Sequence, residues 1–149
     1  MLRMSRKIVL AFEAVLDIAY NGRPHPVQSR DITERQGIPQ RYLEQVLQQL
    51  VRAGILKGVR GPRGGYTLAR ERRRITLGDV LRVVNQMESE EDTTVSCAIL
   101  GAEIINPIWE EMQDDILKHY DAITMEDLCQ NAQNKGIPRA NEEEISFTI

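Results

Sequence analysis

Apolar side chains recur at helical spacing through most of this chain, with one short β-prone interruption around residues 55–69. Phe12, Val15, Leu16 and Ala19 share one stripe, with Ile8 a turn earlier, so a helix is predicted from a Ser5 cap to about Tyr20. Asn21-Gly22-Arg23-Pro24 ends it. Ser29 is placed to cap a short helix through about Gln36, which Gly37 stops. Pro39 suits the first turn of the next helix, where its missing N–H costs nothing. From there Leu43, Val46, Leu47, Leu50 and Val51 follow the i, i+3, i+4, i+7, i+8 spacing of an amphipathic helix closed by Gly54. Two helices joined by a tight, glycine-containing turn make a helix-turn-helix candidate.

Ile55 to Arg60 and Tyr66 to Ala69 flank Gly61-Pro62-Arg63-Gly64-Gly65, which reads as a hairpin with Arg60 and Arg63 at its tip. Helix, turn, helix and cationic hairpin, in that order, predict a winged helix. Thr76 and Asp79 form a capping pair for a further helix that buries Leu77, Val80, Leu81 and Val84. Asn106-Pro107 then start a long helix to about Tyr120, striped by Ile108, Trp109, Met112, Ile116 and Tyr120. Ile123-Thr124-Met125-Glu126-Asp127-Leu128 echoes Ile75-Thr76-Leu77-Gly78-Asp79-Val80, a helix-start signal used twice. The predicted fold class is mainly α with a small β-hairpin: a winged helix-turn-helix plus a long C-terminal helix.

Composition is ordinary for a globular chain, with 42% hydrophobic and 28% charged residues, but aromatics are only 5%, so the core must be aliphatic. Charge changes the picture more. Residues 1–87 carry 16 Lys/Arg against 7 Asp/Glu, a net +9, while residues 88–149 carry 3 against 15, a net −12. A basic front half suits a polyanionic partner; two solvated faces of opposite sign are the blander alternative. Cys97 and Cys129 are too few for a disulfide framework, and with no CxxC pair and with His25 and His119 isolated, a structural zinc site is not expected. With no membrane-length apolar run and no signal-peptide pattern at the start, a cytoplasmic protein is expected. Neither a nucleophile–base pair nor a phosphate loop is visible, so an enzyme is not expected. A protein-only adaptor would keep the same fold but lack the steep salt dependence of DNA binding.

At Arg60-Gly61-Pro62-Arg63-Gly64-Gly65-Tyr66-Thr67-Leu68-Ala69 the chain closely resembles the Rrf-two family, the IscR-like regulators. Tyr42-Leu43-Glu44-Gln45, Ala53-Gly54-Ile55-Leu56 and Ile75 to Val80 carry the same likeness, which runs from about Ser5 to Leu128. The resemblance implies a homodimeric transcription regulator, expected to act as a repressor, with a long C-terminal helix pairing the subunits. Its stripe of Trp109, Met112 and Ile116 suits that role, although packing within one chain would use part of the same face. The chain then divides into a winged-helix DNA-binding domain (1–87), an effector or cluster-type loop (88–106), a dimerisation helix region (107–129) and an acidic, flexible tail (130–149).

Many members of the family hold an iron–sulphur cluster with three cysteines ahead of the dimer helix. Here only Cys97 matches, at the second position; Glu91 and Glu103 occupy the other two, and Asn106 stands where His is frequent. One thiolate cannot hold a conventional cluster. No cofactor is therefore the favoured reading, with a mixed-ligand iron–sulphur cluster as the alternative. As effector, Cys97 is a candidate thiol sensor, although Glu91 and Asp92 nearby disfavour its thiolate and a plain packing role is equally open. Cluster-free relatives are associated with cysteine metabolism, some acting with cysteine synthase, which makes the terminal Ile149 a candidate for capture by a protein partner.

A recognition helix presents its N-terminal residues to base edges, here Gln40, Arg41, Glu44 and Gln45, with Gln48 one turn on. Arg forks onto guanine, Gln onto adenine, and Glu accepts from cytosine; Arg41 and Glu44 as merely solvated neighbours is the alternative. Arg60 and Arg63 suit a minor groove or phosphates, with Gly64 and Tyr66 completing the wing. Arg30, Arg35, Lys57 and the Arg70-Arg72-Arg73-Arg74 cluster read as phosphate contacts or solvated charge. The expected target is a near-palindrome of double-stranded DNA.

Overall fold

The computed structural model describes residues 5–88 and 98–140. Three helices, α1 (Arg6–Asn21), α2 (Ser29–Gln36) and α3 (Gln40–Arg52), precede an antiparallel hairpin of β1 (Leu56–Val59) and β2 (Gly65–Leu68). After it come α4 (Leu77–Glu88), α5 (Asn106–Asp121) and α6 (Met125–Asn134). The hairpin register pairs Leu56 with Leu68 and Val59 with Gly65. Helix, turn, helix and wing thus follow in the expected order.

One aliphatic core joins these elements. Val15 and Ile18 of α1, Ile32 of α2, Leu43, Val46, Leu47 and Leu50 of α3, and Val80 of α4 are buried together with Ile55, Ile75 and Met125. Val51, expected on the same stripe of α3, lies at its edge and is exposed. Gly37 takes a left-handed conformation (φ 66°), and its N–H bonds the Thr33 carbonyl, which turns the chain from α2 toward α3. Two cap expectations are corrected. Ser5 flanks α1 without a side-chain cap bond, and Ser29 is the first residue of α2 with Gln28 before it.

The repeated helix-start signal has a structural counterpart. Thr76 and Asp79 exchange backbone and side-chain hydrogen bonds at 3.0 and 3.1 Å, as do Thr124 and Asp127. The two caps also face each other: Leu77 N–H donates to the Ile123 carbonyl (2.9 Å) and Met125 N–H to that of Ile75 (2.8 Å). This short antiparallel bridge ties α6 to α4.

Two further segments differ from expectation. Residues 99–100 are already helical and residues 101–105 form a π-helical turn that runs into α5, so Pro107 lies within a longer helical run. Residues 130–140, expected to begin a free tail, instead continue α6 and then dock on α1. Tyr20 donates its hydroxyl to the Ile137 carbonyl, and Ala140 N–H donates to Asn21 Oδ1 at 2.9 Å. Residues 141–149, which include the expected partner end Ile149, lie outside the described residues, as does Cys97.

Candidate nucleic-acid interface

α3 is held against the domain on three sides, and this leaves one face outward. Its apolar stripe enters the core, Tyr42 donates its hydroxyl to the Lys7 carbonyl of α1 (2.6 Å), and α2 packs on its start. α2 is in turn clamped to α1 by a buried carboxylate. Asp17, with its side chain fully enclosed, accepts from Arg35 Nε (2.9 Å), a terminal Arg35 nitrogen (2.7 Å) and Gln36 Nε2 (2.9 Å). The hydrogen bond to Asp17 raises the Arg35 pKa further, against the opposing effect of partial burial. Arg35 is therefore tied to Asp17 as a structural partner, a role that the expectation of a phosphate contact or solvated charge did not include.

The outward face of α3 carries Arg41, Glu44, Gln45 and Gln48, all exposed. These four line a single shallow depression together with Arg52 and Tyr66 of the wing. Gln40 precedes them and is engaged at both ends of its amide. Its Nε2 donates to Glu44 Oε1 (2.9 Å), and its Oε1 lies 2.8 Å from the Thr33 hydroxyl. Glu44 is thereby held by its neighbour, with its second oxygen left as an acceptor.

The wing is anchored by a contact that the sequence reading missed. Val27, just ahead of α2, pairs with Tyr66: Tyr66 N–H donates to the Val27 carbonyl (2.8 Å) and Val27 N–H to that of Tyr66 (3.0 Å). A lone bridging residue between Pro26 and Gln28 carries no strand signal of its own. Both glycines before Tyr66 are required by close backbone approach. A Cβ on Gly65 would collide with the Val27 carbonyl, and one on Gly64 with that of Val59. At the tip, Gly64 N–H closes the turn onto the Gly61 carbonyl (2.9 Å), and Arg60 and Arg63 project into solvent.

Other sequence-predicted residues lie elsewhere. Arg72 pairs with Glu126 (3.0 Å), Arg73 with Glu71 (2.6 Å), and Arg30 approaches Glu34 at 3.9 Å. Trp109, Met112 and Ile116 sit on α5, with 51%, 47% and 43% of their surfaces exposed. Ile105 and Ile108 extend the same apolar strip. α5 packs inward instead through Tyr120, whose ring centroid lies 5.6 Å from that of Phe12, and through Asp121, bound by both terminal nitrogens of Arg82 at 2.7 Å. Cys129 is buried, and desolvation pushes its thiol pKa up, with Arg72 pulling the other way. An inert packing role follows for it.

A helix-turn-helix that turns a polar, cation-bearing face outward beside an arginine-tipped wing defines a winged-helix DNA-binding protein. Residues 4–131 match the Rrf2 family, described as an iron-dependent transcriptional regulator, and the chain belongs to that family. It is 31% identical over 134 residues to the HTH-type transcriptional regulator IscR of Escherichia coli O1:K1, an alignment covering 89% of this chain and 83% of that protein. IscR of Cronobacter sakazakii gives the same figures. Among solved structures, T. potens IscR superposes with a TM-score of 0.72 at 32% identity, covering 95% of this chain and 96% of that one. CymR, described as the global cysteine regulator of B. subtilis, gives 0.68 at 28% identity, covering 88% and 98%. The protein is thus a DNA-binding transcription regulator with the winged-helix fold, and these relatives are regulators rather than enzymes. No helix among the described residues is long and apolar enough to cross a membrane.

An iron-dependent family raises the question of a cluster. Of the four positions singled out by the resemblance, Glu103 is exposed on the π turn and Asn106 is half-buried at the start of α5. Glu91 and Cys97 lie outside the described residues. One thiol, two carboxylates and an amide do not fit the thiolate set of a conventional cluster. Among the described residues no group of three His, Cys, Asp or Glu is placed to hold a metal ion.

Proposed function

We propose that the protein acts as a homodimer reading near-palindromic double-stranded DNA through α3 and the wing, independently of an iron–sulphur cluster. The observation that carries this reading is the meeting of Arg41, Glu44, Gln45, Gln48 and Tyr66 on one surface. In the major groove Arg41 would fork onto guanine, and Gln45 and Gln48 would offer amides to adenine. Glu44, steadied by Gln40, would accept from a cytosine amine, which makes Gln40 a support for the reader beside it. Arg60 and Arg63 would reach the minor groove or flanking phosphates, where guanidinium gains from the negative potential. Gly64, tight against the Val59 carbonyl, and Tyr66, bridged to Val27, would hold the wing beside α3 for this contact. The exposed strip of Trp109, Met112 and Ile116 supports pairing of two chains through α5, which sets the two-fold symmetry of the operator.

Fluorescence anisotropy on a selected operator tests the wing directly. Arg63→Ala is expected to weaken specific binding by roughly 1–3 kcal/mol, the usual worth of one good contact. Unchanged affinity at matched salt would contradict the role given to the wing.

A further inference from the structure

α5 is fastened to the DNA-reading domain near one end. From Pro107 to Ile116 every residue of the helix is exposed, whereas Leu117, Tyr120 and Asp121 further on are half-buried. The chain then passes the start of α4, where Leu77 N–H donates to the Ile123 carbonyl and Met125 N–H to that of Ile75. At this joint the two helices meet without an intervening side chain. Gly78, buried in the first turn of α4, lies under the Asp121 carboxylate: a Cβ there would collide with Asp121 Oδ1 and stand 3.1 Å from the Asp121 backbone nitrogen. One turn on, on the same face of α4, Arg82 holds that carboxylate with both terminal nitrogens at 2.7 Å. We propose that Gly78, Arg82 and Asp121 set the angle at which α5 leaves the domain, and through it the half-site spacing that the dimer accepts. This inference rests on the dimeric DNA reading above.

Stability is not the main effect of the pair. The side chains of Arg82 and Asp121 are 46% and 37% exposed, and ion pairs open to water add little to folding. A two-pronged arginine–carboxylate contact adds direction, because both hydrogen bonds are well formed at one mutual orientation. The hydrogen bond to Arg82 also lowers the Asp121 pKa, which keeps the carboxylate charged at neutral pH. Asp79 stands 3.9 Å from Arg82 on the other side, with its second oxygen fixed by Thr76 N–H in the cap of α4. The guanidinium is thereby steadied from its own helix while it grips the other.

Leverage makes a small angle matter. Ile108, on the strip proposed to pair the subunits, stands about 20 Å along the helix axis from Asp121. A tilt of about 10° at the joint moves one end relative to the other by about 3.5 Å, close to a base-pair rise of about 3.4 Å. Tolerance at the joint therefore becomes tolerance of spacer length between half-sites.

Fluorescence anisotropy on duplexes carrying the selected half-sites, with the spacer changed by one and two base pairs, tests the joint. Wild type should lose at least tenfold in affinity per base pair of change. Arg82→Ala and Asp121→Ala should each cut that discrimination at least threefold while keeping the dimeric mass, the unfolding midpoint and the half-site sequence preference. Arg82→Lys, which retains charge without the fork, should behave as Arg82→Ala does. Gly78→Ala keeps both charges but lifts the end of α5 off α4, and should move the optimum to another spacer. Arg82→Ala carries the test if Asp121→Ala or Gly78→Ala unfolds. An unchanged spacing profile, or an equal loss at every spacer length, overturns the inference. A wild type that binds paired half-sites but is indifferent to their spacing overturns the joint alone, whereas one that selects no paired half-sites overturns the dimeric reading itself.

Discussion

Gly65 lies where β2 passes Val27, and a side chain there has no room because the Val27 carbonyl occupies the place of its Cβ. In the sequence this glycine reads as part of the hairpin turn, and only the fold shows the close approach to Val27 that requires it. Gly65→Ala should therefore push β2 off Val27 and destabilise the fold by about 1–3 kcal/mol, as overpacking does. Urea unfolding measures it, and an unchanged midpoint would contradict the close contact. Gln40 gives the complementary lesson. Its position at the start of α3 was legible from the apolar stripe, whereas its engagement with Thr33 and Glu44 depends on how α2 meets α3. Such contacts leave no trace in spacing.

At the scale of elements, the 3.6-residue stripes and the Gly/Pro punctuation were enough to place α1 to α4 and the hairpin. What they could not show is how the elements are fastened. Asp17 is a polar residue in the buried face of α1, and only the fold reveals that Arg35 and Gln36 of α2 surround it. Asp17→Ala removes a fully enclosed carboxylate and leaves the Arg35 guanidinium, itself only 31% exposed, without its partner. The expected loss is at the lower end of the roughly 3–5 kcal/mol typical of breaking a buried pair, because Arg35 still reaches water. Thermal or urea unfolding decides it, and a change under about 0.5 kcal/mol, the range of ordinary surface substitutions, would show that the clamp is dispensable. The twin capping boxes were readable as Thr-x-x-Asp, but not that the two would face one another and hold α6 on α4. Likewise the docking of residues 130–140 relies on Tyr20 and Asn21, over a hundred positions earlier in the chain.

Across the whole molecule, the basic front half and acidic back half map onto different tasks. The first supplies the proposed DNA-reading face, and the second supplies an α5 whose apolar strip stays exposed among the described residues. Leaving Trp109, Met112 and Ile116 near half exposed is unfavourable for a lone chain, and a second copy would bury the strip. Trp109→Asp with Ile116→Asp should yield a monomer of unchanged helical content by light scattering and circular dichroism, with operator affinity falling as the second half-site is lost. A variant that stays dimeric would place the pairing surface elsewhere.

Selection of binding sites from a random duplex library by the purified protein tests the central claim most directly, since it presupposes no operator. Near-palindromic sequences with half-sites about one helical turn apart should be enriched, and Arg41→Ala should relax the preference at one matched position in each half. Enrichment of no sequence, or of single asymmetric sites indifferent to Arg41, would contradict a dimer that reads DNA through α3.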